Sequence, residues 1–156
     1  NISSQILVKF ILNKNKFKFK KLIFMFQKEL ADRILAKVNS SNYGRLSILA
    51  NWKFNIEKII DIKPNSFLPK PKVSSSLLIF NPKAPLINFN NPENLEYLTK
   101  IFFNQRRKKI KKPINILFKN NLDVSKKLKL NLDLRPQNIS PEVFYQLTKE
   151  YENLRS

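Results

Sequence analysis

Apolar and polar positions alternate along the chain with two periods, one typical of helices and one typical of strands. In Ile2–Leu12 the apolar side chains lie three and four residues apart, which predicts an amphipathic helix. Leu22–Phe26 is a short continuous apolar run, and such a run between helices favours a parallel strand covered on both faces. Helical spacing returns over Gln27–Val38 and again over Arg45–Lys53. The first third of the chain therefore predicts helices around a buried strand.

Two further segments have the composition of strands. Phe54–Ile62 and Val73–Phe80 are rich in β-branched and aromatic residues. The segment between them contains Pro64, Pro69 and Pro71, and proline cannot donate a backbone hydrogen bond to a regular element. We therefore expect a Pro-rich loop that joins the two strands of an antiparallel hairpin.

The last third of the chain has helical spacing throughout. Pro92 suits the first position of a helix. The apolar face that follows predicts a helix up to about Lys111, where Pro113 stops it. Two short helices are predicted next, near residues 114–118 and 124–128.

A final helix begins after Ser140, which can cap it, and carries one apolar stripe. The stripe consists of Phe144, Leu147, Tyr151 and Leu154. The predicted order is thus helix, strand, helix, helix, strand, strand and then four helices. We interpret residues 1–83 as the second half of an α/β sheet domain and residues 91–156 as a small all-helical domain.

The chain is strongly basic, with a formal net charge of +19. A surface of this charge attracts polyanions, nucleic acid first and anionic membrane second. Lys, Asn, Ile and Phe are abundant together, which is also the residue usage of an A/T-rich genome. The local clustering of charge therefore carries more information than the total.

The residue types that are missing exclude several kinds of chemistry. The chain has no Cys and no His, which excludes disulfides, thiolate catalysis, zinc fingers and histidine general bases. No apolar run approaches the roughly 20 residues that a membrane-spanning helix needs. We therefore expect a cytoplasmic protein that acts without a metal ion or a membrane.

Six short stretches are similar to motifs of the ribosomal RNA adenine N6-dimethyltransferase family, whose relatives include the macrolide-resistance RNA methyltransferases. Each stretch alone has moderate specificity, but six in the right order from end to end of the chain make the resemblance strong. The stretches begin at Asn1 (Asn-Ile-Ser-Ser), Phe26 (Phe-Gln-Lys-Glu-Leu-Ala-Asp-Arg), Tyr43 (Tyr-Gly-Arg-Leu-Ser), Phe67 (Phe-Leu-Pro-Lys-Pro-Lys-Val-Ser-Ser), Phe103 (Phe-Asn-Gln-Arg-Arg-Lys) and Leu134 (Leu-Arg-Pro-Gln-Asn-Ile-Ser).

The resemblance implies the second half of a Rossmann-like class I methyltransferase sheet followed by a small all-helical C-terminal domain. It also implies a monomer that dimethylates adenine N6 in a hairpin loop of 16S ribosomal RNA, on the small ribosomal subunit, with S-adenosylmethionine as the donor. The family's donor site needs a Gly-rich turn, whereas this chain contains one Gly. The family's catalytic tetrapeptide would end immediately before Asn1. We therefore expect a C-terminal portion that lacks the donor-binding half and is inactive by itself.

The chemistry of this reaction assigns a role to Phe67. The lone pair of adenine N6 is delocalised into the ring and is a poor nucleophile, so the enzyme must hold the amino group in line with the methyl donor. The base must first leave its stack, and an aromatic side chain then holds it. The resemblance implies that Phe67 is this stacking wall and that Asn1 adjoins the catalytic stretch. The alternative role for Phe67 is a core anchor of the Pro-rich loop.

The densest basic cluster consists of Arg106, Arg107, Lys108, Lys109, Lys111 and Lys112. No acidic residue lies between Glu96 and Asp123, whereas an ordinary solvated face mixes both signs. We expect the cluster to lie on a helix and to bind RNA phosphates, which positions the RNA with little base specificity. Lys70 and Lys72 of the Pro-rich loop are predicted RNA contacts as well. A second basic run, which is more typical of a solvated connector, consists of Lys14, Lys16, Lys18, Lys20 and Lys21.

Two other classes of function are compatible with the sequence. The first is a non-catalytic RNA-binding protein such as a ribosome-assembly factor, and an upstream sequence without the donor loop and the tetrapeptide would favour it. The second is a DNA-binding protein that acts in transcription, since a basic helical domain can bind duplex DNA. Binding to a ribosomal hairpin compared with binding to duplex DNA distinguishes RNA-directed from DNA-directed functions.

Overall fold

The computed structural model of the chain describes residues 2–12, 19–119 and 123–155. Helices and strands follow the predicted order, which is confirmed. Within the described ranges, no helix combines the length and the apolar character that crossing a bilayer requires. The elements are α1 (Ile2–Leu12), β1 (Leu22–Gln27), α2 (Lys28–Ile34), α3 (Arg45–Lys53), β2 (Phe54–Ile62), β3 (Ser75–Pro82), α4 (Glu93–Asn104), α5 (Lys111–Leu117), α6 (Asp123–Lys127) and α7 (Pro141–Asn153).

The three strands form one sheet in the order β1-β3-β2, in which β3 runs antiparallel to both neighbours. The predicted hairpin of β2 and β3 is confirmed, with Ile62 opposite Ser75 at the end that carries the Pro-rich loop. The prediction that Leu22–Phe26 is a parallel strand covered on both faces is wrong for the described residues, because β1 pairs antiparallel with β3 at a sheet edge. Its outward side chains Ile23 and Met25 are 55% and 51% exposed. A continuous apolar run gives no periodicity from which the strand's partners could be read.

Helix α3 lies at the centre of the molecule. It contacts α1, α2, α4, α7 and β2. Ser47, Ile48, Leu49 and Ala50 are consecutive and all buried, as expected of a helix that neighbours surround. One apolar core therefore runs from the sheet through α3 into the helices that follow residue 91.

Two buried tyrosine hydroxyls reinforce this connection. Tyr43 donates a hydrogen bond to the carbonyl of Ile139 at 2.8 Å, and Tyr145 donates one to the carbonyl of Ile48 at 2.8 Å. Burial raises the pKa of both phenols, so both remain donors at every physiological pH. Each bond spans nearly a hundred residues of sequence and fixes the helices after residue 91 against α3.

The helix predicted to reach Lys111 ends earlier, and this prediction is wrong. Helix α4 ends at Asn104, because Gln105 leaves the helical backbone region (φ −126°, ψ 54°) and the N–H of Lys108 closes a turn onto its carbonyl at 2.8 Å. Pro113 lies in the first turn of α5, where its missing N–H costs no intrahelical hydrogen bond. Proline therefore permits this helix and does not stop the preceding one.

Two other predicted boundaries are also displaced. Helix α2 ends at Ile34 and does not reach Val38, and Asn39 follows with a left-handed backbone (φ 71°) that Asn tolerates. In α7 the predicted stripe is buried at its first three positions, but Leu154 lies beyond the helix end and is 61% exposed. Local side-chain spacing continues past the point where tertiary contacts end the helix.

A buried carboxylate joins the segment before α4 to the last helix. Glu152 accepts hydrogen bonds from the backbone N–H groups of Asn90 (3.0 Å) and Asn91 (2.9 Å) and from the side-chain amide of Asn94 (3.2 Å). Burial acts to raise the pKa of Glu152, but the donors of Asn91 and Asn90 outweigh burial and the pKa lies below its ordinary value. The charged form of Glu152 therefore stabilises the fold.

Glu152→Gln is expected to lower the free energy of unfolding by about 1–3 kcal/mol at neutral pH, because the variant has no charged acceptor for these hydrogen bonds. Since the folded pKa is depressed, this stabilisation is present above the carboxyl's ordinary pKa and is lost as the pH falls through the folded pKa. The stability gap between wild type and variant should therefore close in acid. Urea unfolding at several pH values measures this gap.

The matched control for this measurement is Glu150→Gln on the same helix. Glu150 forms a 2.7 Å ion pair with the exposed amine of Lys127, and a pair of this kind contributes about 0–1 kcal/mol. A gap for Glu152→Gln that stays constant between acid and neutral pH would contradict a role for the charge.

Candidate nucleic-acid interface

The Pro-rich loop, residues 63–74, connects β2 to β3 at one end of the sheet. A short 3-10 turn, Pro64–Ser66, opens it, and the N–H of Phe67 donates to the carbonyl of Pro64 at 3.2 Å. Phe67 is half-buried, and within the described ranges it belongs neither to the apolar core nor to the side chains packed against that core. The adjacent Leu68 is 100% exposed. This geometry favours a surface aromatic over a core anchor.

Asp61 fixes the stem of this loop. Its carboxylate accepts hydrogen bonds from the hydroxyl of Ser76 (2.6 Å) and from the amines of Lys28 and Lys58 (3.0 Å each). These three donors, led by Ser76, hold the pKa of Asp61 well below its ordinary value. The backbone N–H of Lys28 also donates to the carbonyl of Ser74 at 2.9 Å. The loop stem is therefore attached to the beginning of α2.

The sequence showed no signal for this arrangement, because the partners of Asp61 come from three different elements. The hydrogen bond to Asp61 raises the pKa of Lys28, so the amine stays charged and its charge is largely balanced within the protein. Lys70 and Lys72, in contrast, are exposed within the loop itself. The two lysines and Phe67 thus lie on one short, proline-stiffened segment.

The basic cluster lies in the turn between α4 and α5 and at the start of α5, and not along one helix, so that part of the prediction is wrong. The guanidinium of Arg106 is directed into the protein, where it donates to the carbonyl of Ser41 at 2.7 Å and lies 3.5 Å from the carbonyl of Tyr43 and from Gln137 Oε1. It therefore braces the loop before α3. Consecutive like charges repel on a helix, and a turn spreads them apart.

Four cations of the cluster point outward and remain available to a ligand. They are Arg107, Lys108, Lys111 and Lys112, all of which are exposed. Lys109 forms a 2.8 Å surface ion pair with Asp133, whose pKa it lowers. A groove of about 810 Å³ runs along the cluster, and Asn115 and Ile116 contribute to its wall. A positively charged groove of this kind suits a phosphate backbone.

Four residues of the sequence predictions lie outside the described residues. They are Asn1 and, from the second basic run, Lys14, Lys16 and Lys18. Phe19, at the end of this run, stacks on Phe54 with ring centroids 6.2 Å apart. Lys20 and Lys21 lie beside it, and Lys21 is exposed. The described part of the run is thus anchored to the sheet through an aromatic contact.

A cleft of about 1060 Å³ lies between α1, α2, α3 and α4. Its wall includes the 3.2 Å ion pair of Arg45 and Glu96. The buried Nε of Arg45 has no hydrogen-bond partner among the described residues. Both acidic and basic side chains line the cleft, so neither sign of charge dominates it.

The chain lacks the Gly-rich turn that would bind a nucleotide-like methyl donor. Its one Gly, Gly44, precedes α3 and does not follow a strand, so no Gly-rich phosphate-type turn can form at a strand end. In the described ranges, no group of three or more acidic side chains is placed to hold a metal ion. The described residues therefore do not form the Gly-rich turn of a donor site at a strand end.

The likeness to two solved structures shows that the described sheet and helices form the second half of a Rossmann-like methyltransferase fold. The crystal structure of a dimethyladenosine transferase from Plasmodium falciparum is similar over 97% of the chain, with a TM-score of 0.82 and 29% identity. The crystal structure of the 23S rRNA methyltransferase ErmE shares the fold, with a TM-score of 0.61 at 18% identity. Residues 1–153 match the family of ribosomal RNA adenine dimethylases, and the chain belongs to this family.

Two bacterial relatives carry the name ribosomal RNA small subunit methyltransferase A. The protein from Pelagibacter ubique (strain HTCC1062) is 56% identical over 156 residues, and that from Wolbachia sp. subsp. Drosophila simulans (strain wRi) is 41% identical over 155. Each match covers 99% of this chain. The chain spans 60% and 56% of the length of these two relatives and 63% of the Plasmodium falciparum protein. The family resemblance of the sequence motifs is thereby confirmed.

Proposed function

We propose that the protein containing this chain dimethylates adenine N6 in a hairpin loop of 16S ribosomal RNA, with S-adenosylmethionine as the donor, during biogenesis of the small ribosomal subunit in the cytoplasm. The membership of the chain in the ribosomal RNA adenine dimethylase family and the names of its relatives support this proposal. The observation that carries it is the half-buried Phe67, held on a stiffened loop outside the core. In this proposal the protein acts as a monomer.

Within such an enzyme, the roles of the different parts of the chain follow from what the described residues can bind. Residues 1–83 contribute one side of the methyltransferase domain, and residues 91–156 form the helical domain. The donor is bound outside residues 1–156, because this chain has no Gly-rich turn at a strand end. Residues 1–156 alone are therefore inactive, and their task is to bind and orient the RNA.

One of the two edges of the described sheet, that of β1, supports this division, and β2 forms the other edge. Within the described residues, β1 pairs with β3 along one edge, and its other edge carries backbone groups without a strand partner. Ile23 and Met25 also project from its outer face into solvent. Unpaired edges and exposed apolar faces are where further strands and helices of a sheet add. We infer that the donor-binding half adds at this edge.

The acceptor side of the reaction depends on residues of this chain. Adenine N6 reacts only when it is held in line with the methyl group, since its lone pair is delocalised into the ring. A base that has left its stack is held by an aromatic face, and Phe67 supplies one beside Lys70 and Lys72, whose charges suit the flanking phosphates. Asp61 holds the loop stem, which reduces the entropy that positioning the loop costs.

Phe67→Ala in the full-length protein should lower methylation of the RNA by about ten-fold to a hundred-fold, because stacking contributes roughly 1–3 kcal/mol per base. Phe67→Tyr and Phe67→Trp should retain much of the activity, since the aromatic face remains. The matched control is Leu68→Ala, which removes a fully exposed apolar side chain from the same loop and should leave the rate unchanged. Turnover on a 16S rRNA hairpin, together with melting temperature and donor affinity, measures the effect.

The competing roles give different results in the same assay. A core anchor would lose thermal stability with Ala and tolerate Trp poorly, while the folded fraction would methylate at the normal rate. A non-catalytic assembly factor would bind the hairpin and show no methylation in the wild type. Either outcome would refute the stacking role of Phe67.

The outward cations of the turn predict the salt dependence of RNA binding. Replacing Arg107, Lys108, Lys111 or Lys112 by Gln should reduce the slope of log affinity against log salt by about 0.7–0.9 for each phosphate that the variant no longer neutralises. Arg106→Gln is the internal control, because this side chain donates to protein carbonyls. It should lower the melting temperature and leave the slope unchanged. Equal slopes for the wild type and the four variants would show that these cations bind no phosphates of the RNA.

A further inference from the structure

The helices after residue 91 carry one aromatic ring that is not needed for the core. Tyr97 on α4 is 45% exposed, and it is the only aromatic side chain in the described ranges that is exposed. Its ring packs against that of the buried Tyr151 in a tilted arrangement, with ring centroids 6.0 Å apart and planes at 31°. Part of the Tyr97 ring is therefore open to a ligand, while the ring packs against a buried neighbour.

Tyr97 forms one wall of a small notch. The notch has a volume of about 370 Å³, and none of the side chains that line it is acidic. Its lining includes Ile116, Lys119, Leu154 and Arg155, and the guanidinium of Arg155 lies 4.6 Å from the centroid of the Tyr151 ring. The notch thus combines an aromatic platform with two cations.

The notch and the basic groove of the turn before α5 share one wall residue. Ile116, which is 54% exposed, contributes to the wall of both. The groove beyond it is lined by Lys108, Lys111 and Lys112. A ligand that occupies both therefore meets a row of cations and, at one end, an exposed aromatic face. Proteins bind single-stranded nucleic acid with this combination.

We propose that the Tyr97 notch binds an unpaired nucleotide of the RNA substrate, whose base stacks on Tyr97 while its phosphates meet Lys119, Arg155 and the adjacent groove. This inference rests on the proposed function, because it concerns the same RNA, but it adds a second stacking site in a different part of the chain. A duplex could not use the notch, since its bases are stacked within the helix. The positive lining disfavours a basic protein segment.

The test compares two probes that carry the same phosphate backbone. One is a short oligoadenylate, and the other is an abasic ribose-phosphate oligomer of equal length. In the full-length protein, Tyr97→Ala and Tyr97→Leu should weaken oligoadenylate binding by about 5- to 100-fold and leave the abasic oligomer unaffected, because these variants remove only the stacking. Tyr97→Leu keeps an apolar contact with Tyr151, and Tyr97→Phe and Tyr97→Trp should restore binding.

Two controls isolate the notch. Leu86→Ala removes an exposed apolar side chain that lies outside the notch and should change neither affinity. Repeating the Tyr97 series with Phe67→Ala present should give the same fold-change, since the two stacking sites are on separate elements.

Each other outcome overturns the proposal. Unchanged oligoadenylate affinity in Tyr97→Ala, with methylation of the hairpin intact, would mean that the notch does not bind RNA, while the proposed function stands. An equal loss of affinity for the abasic oligomer would mean that the substitution acts through charge or structure and not through stacking. A wild type that binds neither oligomer nor the ribosomal hairpin would overturn the proposed function together with this inference.

Discussion

The burial of helix α3 is the constraint on which the rest of the structure depends. The helix contacts the sheet through β2 and the last helix through α7, so its side chains belong to both parts of the core at once. Trp52 illustrates this, since its indole N–H donates to the carbonyl of Ile87 at 2.8 Å and its ring lies 4.8 Å from that of Phe89. Each buried Ile or Leu of α3 stabilises the fold by roughly 1.5–3 kcal/mol relative to exposure. The sheet and the helices after residue 91 cannot separate without exposing these side chains.

This shared core holds the two surfaces that are proposed to bind RNA in a fixed position relative to each other. The Phe67 loop is attached to α2 through Asp61 and Lys28, and α2 packs on α3. The groove and the Tyr97 notch belong to α4 and α5, and α4 packs on the same helix. A substrate that meets both surfaces is therefore positioned by preformed geometry, which reduces the entropy that binding costs.

Sequence reasoning identified the elements whose burial follows from their own periodicity. The bounds of α1, α3 and β2 agree with the prediction, although the alternation of side chains in β2 is interrupted by a register shift between Lys58 and Ile60. The edge position of β1 could not be read in this way, since a continuous apolar run has no period. The end of α4 depends on a turn at Gln105 that local spacing does not specify.

The residues of the candidate site also differ in whether the sequence could predict them. Phe67 and the basic cluster were visible because they lie in short motifs, and their roles remain predictions. The inward direction of Arg106 was not visible, because its acceptors Ser41 and Tyr43 lie more than sixty residues away in the chain. The Asp61 stem and the Tyr97 notch were missed for the same reason, since each is assembled by tertiary contacts between distant segments.

The most direct test of a single, α3-centred core is an equilibrium urea unfolding measurement with two local probes. Trp52 is the only tryptophan of the chain and reports on α3, and a fluorophore on Gln146→Cys reports on α7, because the chain has no other cysteine. If one core joins both parts, the two probes give the same midpoint and the same slope. Two separated midpoints, with the α7 probe unfolding while Trp52 remains buried, would contradict the account.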